Sequence, residues 1–181
     1  MVSIVDNFLE EFDLLQIQSV MMKSATVNNN VFPWYYDDSV DYSEKRNELD
    51  TFQFTHLFWD PKRGCVTNFM NIVDFHLKKI KPIIAWRIKA NLLSRTSEII
   101  ENSFHVDNLA LKDSPEKLKQ WTTSIYYVNT NNGYTKFETG EIVESVENRM
   151  VTFPSNIQHT GTSCTDQKTR VVINFNYFSN K

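Results

Sequence analysis

Four side chains in the second half of this 181-residue sequence have the types and order of a metal centre with an anion clamp beside it: His105, Asp107, His159 and Arg170. His105 and Asp107 stand two apart in Phe104-His105-Val106-Asp107-Asn108. On a strand that spacing puts both side chains on one face, near enough to bind one ion. Alone, a His-x-Asp triplet is weak evidence, because chance produces it in many proteins. If the strands between them return across a barrel, His159 supplies a third ligand. Two imidazoles and one carboxylate would then leave three octahedral positions open, which suits Fe(II). Arg170 opens the apolar run Val171-Val172-Ile173-Asn174-Phe175. A buried arginine is costly without an anionic partner. A solvated strand end is the bland reading of Arg170. Beside a metal triad, a two-pronged clamp on a small carboxylate is the better one. The other two histidines look structural. His56 shares the Phe52/Phe54/Phe58 face and reads as a hydrogen-bonded core residue, and His76, ahead of Lys78-Lys79, reads as a partly exposed helix residue.

The elements that must position these residues follow from periodicity. Val5, Phe8, Leu9, Phe12 and Leu15 recur at helical spacing, with Asn7 and Glu10 as a candidate cap. Asn28-Asn29-Asn30 marks a loop, followed by Phe32-Pro33-Trp34-Tyr35-Tyr36 and the acidic stretch Asp37 to Asp41. The aromatic cluster Trp34-Tyr35-Tyr36 fits either the mouth of a site or core packing. Residues 52–59 alternate as a strand. A second helix follows Gly64, capped at Thr67 or Asn68, with Phe69, Met70, Val73, Leu77 and Ile80 as its buried stripe and Pro82 as its stop. Beyond Pro82 the pattern is strands: 84–93, 123–129, 134–137, 142–145, 149–153 and 170–178. Asn131-Asn132-Gly133 and Pro154-Ser155-Asn156 are the turns between some of them. Two helices followed by many short strands predict an α+β fold, with the helices on one side of a sandwich or barrel. Nothing divides the chain, so residues 1–181 read as one domain, 1–81 as helical and aromatic support and 82–181 as the strand core.

Composition narrows the function classes. Hydrophobic residues at 41% and charged residues at 23% describe an ordinary globular mixture and exclude wholesale disorder. The 4 glycines never approach a G-x-G-x-x-G or P-loop spacing, which excludes nucleotide binding through such loops. A net charge of −3 and a pI near 5.8 give no footprint for duplex nucleic acid or an anionic membrane. Cys65 and Cys164 form no C-x-x-C and read as two free thiols in a reducing compartment. No signal peptide or membrane-spanning run is legible, so a cytoplasmic protein is expected.

At this point the sequence resembles a known family. His105-Val106-Asp107, His159 and Arg170 are similar in order to the H-x-D…H…R/K signature of Fe(II)/2-oxoglutarate-dependent dioxygenases. The flanks resemble the prolyl 4-hydroxylase-like branch. Ser124-Ile125-Tyr126-Tyr127-Val128-Asn129 matches its I-Y-Y-L-N strand, Asn132-Gly133-Tyr134-Thr135-Lys136-Phe137 its G-G-x-x-x-F stretch, and Arg149–Ser155 the strand before the distal histidine. The likeness runs from Lys89 to Phe178, and the first 80 residues look like those of small phage and marine bacterial members. It implies a double-stranded β-helix, a jelly roll with N-terminal helices packed on one side. It implies that His105, Asp107 and His159 bind Fe(II), and that Arg170 and Tyr127 bind the distal carboxylate of 2-oxoglutarate, with O₂ as second co-substrate. Two departures stand out. Arg95 occupies a position where better-known prolyl hydroxylases carry a tyrosine, and Val172 lacks a hydroxyl that some relatives place there.

The implied function is hydroxylation of a C–H bond in a peptidyl (prolyl included) or small-molecule substrate, releasing succinate and CO₂. Tyr126, adjacent to Tyr127, would face the outer side of the sheet. The alternatives are a nucleic-acid demethylase of the same fold, against which the acidic balance argues, and a jelly-roll domain that binds a metal or ligand without oxidising anything.

Overall fold

The protein is described from a computed structural model over residues 1–23, 31–40 and 52–179. The Asn28-Asn29-Asn30 loop and Asp41 lie outside the described residues. In chain order the elements are β1 (Ser3–Val5), α1 (Glu11–Met21), β2 (Tyr35–Asp37), β3 (Gln53–Asp60), β4 (Gly64–Cys65), α2 (Asn71–Ile80) and β5 (Ile84–Ser94). A 3₁₀ turn (Leu109–Leu111) and α3 (Pro115–Leu118) follow, then β6 (Thr122–Tyr127), β7 (Tyr134–Phe137), β8 (Ile142–Glu144), β9 (Arg149–Pro154), β10 (His159–Gly161) and β11 (Thr169–Phe178). An antiparallel major sheet runs β1-β9-β6-β11-β5-β3-β2, with β4 on β3, and a smaller one runs β10-β7-β8.

The major sheet is covered on both faces. Ile125, Tyr127, Val151, Phe153 and Val172 pack with Phe137 and Val143 of the minor sheet, so the two sheets close on one apolar layer. The opposite face carries Ile88, Ala90, Tyr126, Val171, Ile173, Phe175 and Tyr177, covered by Ile17 and Met21 of α1 and by Ile72 and Val73 of α2. This is the α+β jelly roll expected, with the helices on one side. The first 81 residues do more than support it: β1 pairs β9, and β3 pairs β5.

Three sequence readings are corrected here. The chain before Glu10 is extended, because Ile4 pairs Val151 and the Phe8 N–H donates to the Asn148 carbonyl. The helical phase therefore starts only at Glu11. Its buried side is Leu14, Ile17 and Met21, while Phe12 and Leu15 face solvent. Asn7 is no cap; it takes a left-handed φ of 51° outside the helix. The second correction is His76, which is fully buried, because Ile72, Val73 and His76 form the inner face of α2 and Lys78-Lys79 turn outward past it. Its helix starts at Asn71, ends in a left-handed Lys81 and stops before Pro82. The third is the His-x-Asp segment, which belongs to no named strand; His105 makes a single bridge to His159, and Asp107 sits in the following bend. His56 is the core histidine expected: Nδ1–H donates to the Pro33 carbonyl and Nε2 accepts from Thr67 Oγ1.

Candidate functional site

Strand alternation builds one wall of a cleft between the sheets. On β11, Arg170, Val172, Asn174 and Asn176 alternate with the core residues Val171, Ile173, Phe175 and Tyr177. On β5, Arg87, Lys89, Asn91 and Leu93 alternate with Ile88, Ala90 and Leu92. The register sets Arg170 opposite Leu93, Val172 opposite Asn91, Asn174 opposite Lys89 and Asn176 opposite Arg87. Lys89, Asn91, Ile125, Val172 and Asn174 of the major sheet line a partly open cleft, together with Thr135, His105, Asp107, His159 and Arg170.

The structure brings His105, Asp107 and His159 together: one ligand atom from each lies within 4.8 Å of the others. The cause is local backbone pairing. The His105 N–H donates to the His159 carbonyl and the His159 N–H to the His105 carbonyl, both at 3.0 Å, which sets the two imidazoles side by side with ring centres 5.0 Å apart. Each ring is held by its Nδ1–H, from His105 to the Ser103 carbonyl at 3.1 Å and from His159 to the Ile157 carbonyl at 3.4 Å. That fixes the tautomer with a lone pair on each Nε2, the form in which histidine ligates metals.

Asp107 is almost fully buried, and both its oxygens are held. Arg87 donates to Oδ1 at 3.0 Å and Asn176 Nδ2 to Oδ2 at 3.0 Å. Burial alone would raise its pKa, but the Arg87 guanidinium, the two histidines and Asn176 hold it well below the ordinary carboxylate range. Burial pushes His159 down to about 4 against the pull of Asp107, so its ring is neutral at physiological pH. The donor set is one anionic oxygen plus two imidazole nitrogens, which fits Fe(II) or Mn(II).

Arg170 is 3% exposed and runs along the floor of the cleft. Nε donates to Ser145 Oγ at 2.9 Å, and one terminal nitrogen reaches the Tyr134 carbonyl and Thr135 Oγ1 at 3.3 and 3.2 Å. All these partners are neutral, and no carboxylate among the described residues pairs with it. Gly133 makes room for the side chain: a Cβ there would stand 2.7 Å from Arg170 Cδ. A buried guanidinium oriented by neutral groups and left without an anion fits an incoming carboxylate.

Tyr127 shares the inward face with Ile125, as expected, but does not line the cleft. Its hydroxyl donates to Thr135 Oγ1 at 2.8 Å, and its ring lies 5.7 Å from the Arg170 guanidinium carbon. Thr135 is thus the hydroxyl that meets the cleft. Tyr126 faces the other side, under the helices, and donates to Asn148 Oδ1. Arg95 is exposed and is not among the lining residues. Trp34 packs on Phe32 at the core edge, whereas Tyr35 and Tyr36 are exposed on the edge strand β2.

Sequence reasoning missed Arg87, Asn176 and Thr135, and left Asn91 without a role. The polar residues alternating along β5 and β11 were the available signal: a strand covered on both sides carries them only where one side faces a polar cleft. Both cysteines are free, Cys65 exposed and Cys164 buried. No helix among the described residues is long and apolar enough to cross a membrane.

No family model and no curated protein matches the sequence. Solved structures do match its fold. An oxidoreductase of the 2OG-Fe(II) oxygenase family from Burkholderia pseudomallei superposes with a TM-score of 0.64 at 9% identity, over 98% of this chain and 84% of that one. A Pseudomonas putida prolyl-4-hydroxylase gives 0.60 at 11% identity, over 99% and 92%. A Trichoplax adhaerens prolyl hydroxylase, in complex with a hypoxia inducible factor peptide fragment, gives 0.56 at 14% identity, over 98% and 83%. The fold is that of the 2-oxoglutarate-Fe(II) oxygenases, prolyl hydroxylases among them.

Proposed function

We propose that this protein is an Fe(II)- and 2-oxoglutarate-dependent oxygenase that hydroxylates a C–H bond of a small-molecule or peptidyl substrate. The observation that carries the reading is a buried arginine without a carboxylate partner among the described residues, opening onto the same cleft as a His/Asp/His cluster whose three ligand atoms converge. Fe(II), when bound, supplies O₂ activation coupled to oxidation of 2-oxoglutarate to succinate and CO₂.

The chain's own residues supply placement. His105, Asp107 and His159 hold the metal, with Arg87 and Asn176 fixing the carboxylate. Arg170 grips the far carboxylate of 2-oxoglutarate and sets its orientation. Thr135 adds a hydroxyl that Tyr127 holds in place. The apolar side chains of Ile125 and Val172 line the cleft beside them and limit water.

The test is Fe(II)-dependent succinate formation from 2-oxoglutarate, with Arg170→Lys as the variant. Lysine keeps the charge but replaces a planar two-pronged donor by a point charge. The 2-oxoglutarate affinity should fall by about 1–3 kcal/mol while Mn(II) affinity holds. Equal 2-oxoglutarate affinity in the variant would return Arg170 to a structural role.

A further inference from the structure

Arg170 is not the one cation on the cleft without an ion-pair partner among the described residues. Lys89, half-buried on β5, lines the same cleft and makes no hydrogen bond or ion pair among the described residues. Its charged neighbours are Arg87, Asp107 and Asp37. Burial and Arg87 push its pKa down to about 8 against the two carboxylates, so the ammonium is cationic at neutral pH. Two carboxamides share its wall: the Oδ1 atoms of Asn91 and Asn174 are buried without a hydrogen-bond partner among the described residues. An ammonium lacking an acceptor and two acceptors lacking donors form a complementary, unfilled set.

This set stands apart from the Arg170 clamp along the cleft. β11 has β6 on one side and β5 on the other. The partners of Arg170 are Ser145, Tyr134 and Thr135, all on the minor-sheet side. Lys89 and Asn91 stand on β5, opposite Leu57 and Thr55 of β3. Along the sheet, Arg170 and the Lys89/Asn174 pair are four residues apart, roughly 13 Å at the strand rise. 2-Oxoglutarate has four C–C bonds of about 1.5 Å each. Its full span of about 6 Å is less than half that separation.

We propose that Lys89, Asn91 and Asn174 form the primary-substrate subsite, and that the substrate is a free α-amino acid, its carboxylate on Lys89 and its amino group against the two carboxamide oxygens. This rests on the oxygenase reading and narrows it from peptidyl or small-molecule substrates to small zwitterions. An internal prolyl residue of a peptide offers no anion at that distance from its ring and leaves Lys89 unpaired in a half-buried position.

The experiment measures succinate formation by Fe(II)- and 2-oxoglutarate-loaded full-length protein with three probe sets: the free L-amino acids, proline included; the same amino acids as C-terminal amides; and proline-containing peptides blocked at both ends. At least one free amino acid should stimulate turnover, its amide about tenfold less, as one charge-assisted contact requires. Lys89→Gln should remove that stimulation and Lys89→Arg should restore part of it, with 2-oxoglutarate affinity within twofold of the parent by calorimetry. Stimulation by amides or blocked peptides at the level of free amino acids, stimulation by no free amino acid, or an unchanged Lys89→Gln response each overturns the assignment. A parallel loss of 2-oxoglutarate affinity in Lys89→Gln also overturns it, placing the co-substrate at these residues. Absence of Mn(II) and 2-oxoglutarate binding in the parent protein is a separate outcome, which defeats the oxygenase reading itself.

Discussion

Along β11, Val171, Ile173, Phe175 and Tyr177 point to the helices, and Arg170, Val172, Asn174 and Asn176 point between the sheets. β5 repeats the division, with Ile88 and Ala90 on one side and Arg87, Lys89 and Asn91 on the other. The helix side is a continuous apolar and aromatic layer in which even His76 is enclosed by the rings of Phe8, Tyr126 and Phe175. The cleft side carries buried charge and carboxamides, some held tightly and some left open. Burying apolar surface on the helix side stabilises the sheet, and polar groups on the cleft side cost stability that ligands can recover. His76 and His159 show the contrast within one residue type. Both are buried and neutral, but only His159 has its Nδ1–H anchored and a carboxylate 3.9 Å from its Nε2.

The largest effect expected from this division is on the helix side. Phe175→Ala removes a fully buried ring beneath α2 and should cost about 3–5 kcal/mol in denaturant unfolding. A loss below about 1 kcal/mol would mean that this layer is not what holds the sheet.

An acid effect comes next. Neither ring nitrogen of His76 makes a hydrogen bond of good geometry among the described residues, and burial holds its pKa down to about 3 in the folded protein, offset only in part by the nearby Ile72 and Val73 carbonyls. The unfolded imidazole titrates near 6.5. Above that pH both states are neutral and His76 makes no demand; below it the unfolded state takes up the proton first. Stability should therefore fall by about 1.4 kcal/mol per pH unit from 6.5 toward 3, reaching roughly 2 kcal/mol at pH 5. His56 and His159 act in the same direction, so the measurement is the difference in slope between the parent and His76→Leu, which should be shallower. Parallel slopes would contradict the buried, unpartnered ring.

The smallest effect has the opposite sign. Asn174→Val replaces an unsatisfied carboxamide on the cleft wall with an apolar group and should leave thermal stability unchanged or raise it by up to about 1 kcal/mol. A clear destabilisation would mean that this wall holds the fold together as the other side does.

Much of this was legible in the sequence, for physical reasons that differ by element. The strands from Ile84 onward were readable because their inward faces keep a strict period of two. The cluster of His105, Asp107 and His159 was readable by type and order, although the strand geometry first invoked for His105 and Asp107 is not what joins them: a single backbone bridge to His159 does. The phase of α1 was not readable, because Val5 and Phe8 are apolar for sheet pairing and core packing while the helix begins only past Glu10. Arg87 and Asn176 went unread because their partner, Asp107, is distant in the chain and reaches them only through the closed sheet. Thr135 was quoted within its motif, but nothing local shows that it, not Tyr127, meets the cleft.

The central claim is that His105, Asp107 and His159 form one metal site on the cleft side of the sheet. Titrating Mn(II) into the purified protein, with electron paramagnetic resonance reading free ion, tests it most directly. One ion should bind per chain. His105→Ala and His159→Ala should each abolish tight binding while the thermal transition stays cooperative, because two protein ligands rarely hold such an ion at micromolar levels. Unchanged Mn(II) binding in both folded variants would contradict the account.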